Sequence, residues 1–568
     1  MKATVKTITA TIACGLLATI GSQAITLPDL PAKEGFEVKG YVHDGTAGVE
    51  GVLVSDGYSF ATTAADGSYY LAPNPSAYCV FVVIPSGYEI ATVDQGIAKH
   101  FVTLNAEGET RADFTLNPIG DDTRFSFITQ ADTQPDTGIA PNCWNSMNTA
   151  YKELHKTGTE LAAQDGFTPF SLHMGDIIYN TNSIVVNYQR YTDNLKATGY
   201  TLPTFATPGN HDRRYKTDYL EATATYRATW GPLWYSFNRG KVHFISFDNV
   251  LVETDGEYTK GYDPAAEEWL RKDLAHVDKG SRVVFFAHQP MSRNKAALKA
   301  YTPILDILKE YNTLILTGHL HRTFNNFPEY APTITERNLS ALAGYEWRGP
   351  CAEDGTPLGY GVYTVDGDQI SWRFKWTGKS ADIMFRMYAP GDFGLPSAKP
   401  EDEKTVLVNV WDWDKDWKVT WTLDGEDMGE LPAYDAHTDP WAVYNYNDNP
   451  SRPQFEGVKD TYHIFHADVP PTGSKVEVTA ADPFGRTYTS SVTLPHIQGG
   501  VENVAADNSA IVSTSVYDLG GTLLLTVPAD AIGASAVGQH TGELASGCYI
   551  LRHLHADGTM TTEKQLIR

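Results

Sequence analysis

Thr313-Leu314-Ile315-Leu316-Thr317-Gly318-His319-Leu320-His321 starts as an apolar run, bends at a glycine and ends on two histidines. The first five residues predict a buried strand, and Gly318 eases the bend that carries both imidazoles out at its end. Neutral imidazoles two positions apart suit a divalent transition ion. The same design recurs upstream. Val283-Val284-Phe285-Phe286-Ala287 runs into His288, with Gln289-Pro290 marking the turn. Thr204-Phe205-Ala206-Thr207 leads to Gly209-Asn210-His211-Asp212, and Phe170-Ser171-Leu172-His173-Met174 leads to Gly175-Asp176. Phe125-Ser126-Phe127-Ile128-Thr129-Gln130 leads to Ala131-Asp132-Thr133-Gln134.

Each string alone has an ordinary explanation. Asp132-x-Gln134 is a common turn, Asp176 can cap a helix or turn, Asn-His-Asp can be a hydrogen-bonding scaffold, and each histidine can be a satisfied core or turn residue. Together they put carboxylates, amides and imidazoles at successive strand ends. Asp132 offers charge and Gln134 a neutral oxygen. The two oxygens of Asp176 can reach different cations, and a bridging carboxylate offsets the repulsion between ions about 3.5 to 4 Å apart. Asn210 can donate its side-chain oxygen, whereas the adjacent His211 points to a different part of the pocket, toward substrate.

Helical stretches are expected at Asn145 to Lys156, Val185 to Lys196, Pro264 to Val277 and Ala297 to Tyr311. They alternate with strands, among them Lys241 to Phe247, so residues 123–376 read as an α/β layered domain that binds ligands at its polar strand ends. Before it, residues 36–118 alternate β-branched and polar residues between Asp-Gly turns, an antiparallel β module that resembles immunoglobulin-like or regulatory-like modules. After it, a polar linker through Pro390, Pro396 and Pro400 precedes a β domain at 404–494. The last segment, 505–568, resembles the C-terminal sorting domains of proteins secreted by Bacteroidetes; a plain β appendage is the other reading.

In order across residues 132–321, the strings resemble the calcineurin-like metallophosphoesterase superfamily. That resemblance implies a layered α-β-β-α catalytic domain and two divalent ions. One ion would be held by Asp132, Gln134, Asp176 and His321, the other by Asp176, Asn210, His288 and His319. Many members have histidine in place of Gln134, and an amide oxygen is the weaker, harder ligand, so manganese, zinc and iron all stay open as the metal. The resemblance further implies that His211 is catalytic, stabilising a phosphoryl oxygen or protonating the departing alkoxide while metal-activated hydroxide attacks phosphorus in line. Asp212 then orients His211 or its loop. The expected substrate is a small phosphomonoester or phosphodiester. Tyr345 and Trp347, in the segment after the last histidines, can stack on a nucleoside or sugar, and Arg348 can reach a second phosphate; all three can equally be structural.

The remaining features set limits. A chain of 568 residues with 44 Lys and Arg against 69 Asp and Glu carries a net charge of −25, so a nucleic-acid polymer is repelled on average. Residues 1–24 have a basic start, an apolar middle and a Ser22-Gln23-Ala24 end, which predicts an export signal and a destination in the periplasm, the extracellular space or the outer cell surface. No transmembrane partner is expected, but secretion machinery or a surface carbohydrate is. Cys143 and Cys351 follow the first and last ligand strings, which leaves a disulfide between them open. There is no His-Glu-x-x-His, Gly-x-Ser-x-Gly or Walker string. The alternative from another class is a noncatalytic, metal-stabilised assembly that binds protein or carbohydrate, the latter through Trp411, Trp413 or Trp417. Those tryptophans fill a β core equally well.

Overall fold

The computed structural model describes residues 25–92, 96–135, 143–179, 184–214, 217–252, 258–343, 350–390, 404–448, 457–470, 472–494, 511–518, 523–528, 547–555 and 560–567. The expected export signal therefore lies outside the described residues, as do Tyr345, Trp347 and Arg348. The chain forms two units, Met1–His496 and Ile497–Arg568.

Two sheets face each other in the middle of the first unit. One has the strand order Thr204–Ala206, Phe170–His173, Arg124–Gln130, Gly359–Asp366, Gln369–Trp376. Its first three strands run parallel, and the last two add an antiparallel hairpin. The other has the order Trp234–Arg239, Val242–Phe247, Arg282–Phe286, Asn312–Thr317, Ile334–Asn338, Phe324–Asn326, with parallel pairing through its centre. Side chains alternate faces along a strand, so one face of each sheet can be wholly aromatic. Phe205 stacks on Phe237 at 4.1 Å, Phe170 meets it edge-on at 5.4 Å, and Phe127 meets Phe244 edge-on at 5.5 Å. These rings join the two sheets.

Parallel neighbours need crossovers, and helices supply them. Cys143–Asp165 and Ile184–Thr198 link the strands of the first sheet, while Pro264–Leu274 and Lys295–Leu308 serve the second. Asp263 and Asn294 cap the last two helices by accepting from the Ala265 and Ala297 amides. The first helix runs nine residues beyond the expected Lys156. Gly158 lies inside it, where Leu202 packs on the helix: a Cβ there would lie 2.5 Å from its methyl.

Flanking β modules complete the unit. Val38–His43, Ser68–Leu71, Phe114–Pro118 and Tyr88–Ile90 form one N-terminal sheet, and Leu53–Ser55, Phe60–Thr62, Cys79–Val82 and Phe101–Thr103 form another. Trp234 and Trp269 reach across from the middle domain to donate to Gly57 O and Ser55 Oγ. On the C-terminal side, Lys418–Leu423, Glu426–Glu430, Lys475–Ala481 and Thr487–Thr493 form one sheet. Phe385–Tyr388, Thr405–Val410 and Ile464–Asp468 form the other. The stretch read as a polar linker thus begins with a strand, because Phe385 and Tyr388 are buried against the following one. Trp411 and Trp417 are buried in this module's core. No disulfide joins Cys143 to Cys351; both are buried. In the second unit the described residues form an antiparallel sheet ordered Leu523–Pro528, Ile511–Tyr517, Gly547–His555, Met560–Ile567.

The Arg337 guanidinium donates to Asp412 Oδ1 at 2.5 Å, tying the middle domain to the C-terminal module where both side chains are almost fully buried. Removing one partner of such a pair strands a buried charge, whereas replacing both removes the penalty. Arg337→Leu is expected to lower stability by about 3 to 5 kcal/mol in urea unfolding, and Arg337→Leu with Asp412→Leu to recover part of it. A loss below about 1 kcal/mol contradicts the coupling.

Candidate metal centre

The ligand strings meet where the strands of both sheets end. Ladder bonds continue past the strands into the loops: Met174 N–H donates to Gln130 O, Thr207 N–H to His173 O and Gly318 N–H to His288 O. Asp132 N–H then donates to Gly175 O, and Gln134 N–H to Asp176 O, both at 3.1 Å. At this point the backbone leaves the ordinary regions. Asp132 (φ 50°), Gln134 (φ 41°), Asp176 (φ 53°), His319 (φ 68°) and His321 (φ 59°) are all left-handed. Among the described residues, Asp424 is the one other non-glycine in that region. Each such conformation costs of order 1–3 kcal/mol and persists where surrounding structure enforces it.

Glycine makes the close approach possible. A Cβ on Gly209 would lie 2.1 Å from Asp176 Oδ1, and one on Gly318 would lie 2.5 Å from Asp132 Oδ2.

Two side-chain groups result, Asp176 with His288 and His319, and Asp132 with Asp176 and His321; within each, candidate ligand atoms lie within 4.8 Å of one another. His288 Nδ1 faces Met174 O at 2.8 Å, and donating a proton there leaves Nε2 as an acceptor. That Nε2 has Asn210 Oδ1 at 3.0 Å, His319 Nδ1 at 3.2 Å and Asp176 Oδ2 at 3.3 Å. One proton can satisfy only one of these contacts, whereas a cation satisfies all the lone pairs together. His321 Nε2 lies 3.3 Å from Asp132 Oδ1, and the His319 amide donates to both Asp132 oxygens. Asp132, Asp176, Asn210 and His288 are at most 1% exposed, so unpaired charge here would be costly. The residues therefore fit a divalent pair, with Asp176 common to both groups.

The packing of charge also shifts the titration of these groups. Burial alone would raise Asp176, but His288 and His211 hold its carboxyl well below the usual range. His288 is pulled down by burial and raised, chiefly by Asp176, to about 9. Burial, and after it the charge of His288, push His319 well down.

Three models describe the chain in order: N terminal of calcineurin-like phosphoesterase over residues 36–119, calcineurin-like phosphoesterase over 127–323, and C terminal of calcineurin-like phosphoesterase over 336–488. The chain belongs to the calcineurin-like phosphoesterase family. Acid phosphatase type 7 of Homo sapiens and of Mus musculus are each 28% identical over 140 residues, which is 24% of this chain and 32% of theirs. The chain thus matches about a third of the length of these curated relatives. A solved structure of PhoD is 13% identical, covers 81% of this chain and 88% of its own, and superposes with a TM-score of 0.31.

Within this phosphoesterase domain, one residue differs from expectation. Gln134 turns its amide nitrogen to Asp176 Oδ2 at 2.9 Å, so a half-turn of the amide is needed to present its oxygen to a cation. Asp212 acts on the loop. It accepts from Gly209 N at 2.8 Å, Ile177 N at 3.0 Å and Tyr188 OH at 2.7 Å, binding the Asn210 loop to the Asp176 loop. His211 N–H donates to Asp176 Oδ1 at 2.7 Å, and its half-buried ring stacks on Tyr179 at 4.4 Å. Desolvation lowers its imidazole, against an opposing pull from Asp176.

Sequence reasoning missed three supporting residues. Tyr179 sets the His211 ring plane, and Tyr258 stands edge-on to His319 at 5.9 Å. Asn249 Oδ1 accepts the His288 and Gln289 amides, holding the turn that delivers His288. None sits in a ligand string; Asn249 and Tyr258 lie within two residues of a strand end, and Tyr179 follows Asp176 by three.

Gly209→Ala drives a methyl into the Asp176 carboxylate. The expected result is a folded protein whose divalent-ion affinity falls at least about tenfold by titration calorimetry, the scale of a disturbed supporting contact. Unchanged affinity contradicts the packing argument.

Proposed function

We propose that the protein is an exported, binuclear metal-dependent phosphoesterase that hydrolyses a small phosphomonoester or phosphodiester. The observation that carries this reading is the cluster of five left-handed residues that includes one shared buried carboxylate, Asp176, flanked by imidazoles. Such strain is retained where function needs the geometry. The proposed holders of one ion are Asp132, Gln134, Asp176 and His321, and of the other Asp176, Asn210, His288 and His319. Manganese, zinc or iron would supply Lewis acidity toward a phosphoryl oxygen and a water nucleophile at neutral pH.

The chain's own residues account for the rest. The ring of His211 is the half-buried imidazole over this group, held by Tyr179 from one face and by its own amide on Asp176. From there it can donate a hydrogen bond to a phosphoryl oxygen or a proton to the leaving alkoxide. Asp212, Tyr188 and Asn249 keep the loops in register so that His211 and Asn210 share one cleft. Export rests on the sequence of residues 1–24.

Chelation is expected to abolish hydrolysis of aryl phosphomonoesters and phosphodiesters, and reloading with manganese, zinc or iron to restore it on one class or both. Activity that survives complete metal removal contradicts the proposal, and its absence in every reloaded form favours a noncatalytic binding assembly. His211→Ala is expected to lower kcat by about 10² to 10⁴ with both ions retained by elemental analysis. Unchanged turnover rejects the role.

A further inference from the structure

Away from the metal centre, helix Cys143–Asp165 and the hairpin Gly359–Asp366 with Gln369–Trp376 enclose a cavity of about 580 Å³. Its charge is the reverse of the molecule's. Positions 149, 152, 156 and 160 fall on one helix face by the three-to-four residue repeat, and positions 373 and 375 share one strand face. The pairings Val362↔Arg373 and Tyr360↔Lys375 make that face the floor.

Glu153 and Lys375 neutralise each other. The Glu153 carboxylate accepts from Lys375 Nζ, the Gly378 amide and Tyr360 OH, and Lys375 Nζ also donates to Trp376 O and Lys379 O. What remains on the lining is Lys152, Lys156, Arg373 and Lys379 against the single carboxylate of Glu160, which lies 3.8 Å from Lys156 with both side chains largely exposed. Lys379 sits over the Trp376 ring. No ion pair engages Lys152 or Arg373 among the described residues. In a chain of net charge −25, four cations held around one concavity are a local field that attracts small anions and focuses them.

We propose that this groove is a second, noncatalytic binding site for a small organic molecule carrying at least two negative charges, of the phosphate-ester class. The volume is that of a small-molecule pocket and exceeds the need of one inorganic anion. Val362, Ala381 and the lysine stems provide apolar wall for a carbon skeleton, while Arg373 offers a planar fork to a phosphate. The site is independent of the metal centre and of the reaction assigned to it.

Isothermal titration calorimetry of the full-length chain, with its divalent ions chelated so that nothing is turned over, tests this with fructose 1,6-bisphosphate and inorganic phosphate as separate probes. The bisphosphate is expected to bind saturably at one site, at least about tenfold tighter than inorganic phosphate, with affinity that falls as salt rises. Lys152→Gln with Arg373→Gln is expected to weaken it at least tenfold, and Lys299→Gln, an exposed lysine elsewhere, to leave it unchanged. Because Lys152 is exposed, Lys152→Glu alone gives a second variant that folds, and it too should weaken binding. No saturable binding, equal affinity for the two probes, or unchanged affinity in the substituted chains overturns the proposal.

Discussion

Asp176 is a buried carboxylate that three chain segments have to reach at once. Its Oδ1 takes the His211 amide, its Oδ2 faces His288 and Gln134, and its backbone carbonyl accepts the Gln134 amide. A lone carboxylate in so dry a place would be costly, so its surroundings must supply positive charge. Much of the middle domain is organised to do that. Two sheets end at the same edge, and their loops carry the imidazoles and amides inward, because aromatic side chains lock the sheets face to face.

The geometry explains why the loops look as they do. To turn a side chain from the end of a parallel strand back over the sheet edge, the backbone passes through a left-handed step, and here it does so on Asp132, Gln134, Asp176, His319 and His321. A glycine would take those conformations without strain, but it has no ligand atom. The protein instead places glycines beside the ligands, at positions 209 and 318, where the carboxylates of Asp176 and Asp132 leave no room for a Cβ. Flexibility and chemistry are thus divided between neighbouring residues. The strain is balanced by buried bonds such as those that Asp212 accepts from the Gly209 and Ile177 amides and the Tyr188 hydroxyl.

Much of this was legible in the sequence because the signals are local. Apolar runs such as 283–287 and 313–317 end at His288 and Gly318, and the strand ends fall within two residues of those breaks. What was not legible depends on distant partners. The helix continues past Lys156 to Asp165, and Leu202 fills the space that the missing side chain of Gly158 leaves. Residues 385–388 read as linker until they pair with 405–410. Tyr179 and Asn249 carry no motif, and their roles exist only once His211 and His288 have been brought beside them. The pairing of Arg337 with Asp412 likewise joins residues 75 positions apart.

On the proposed function, the strained loops hold two ions that share Asp176. Anomalous diffraction from crystals of the full chain grown with manganese tests it most directly. Two metal peaks about 3.5 to 4 Å apart are expected, with Asp176 between them and His288 and His321 on opposite ions. A single peak, or two peaks that do not share Asp176, would contradict it.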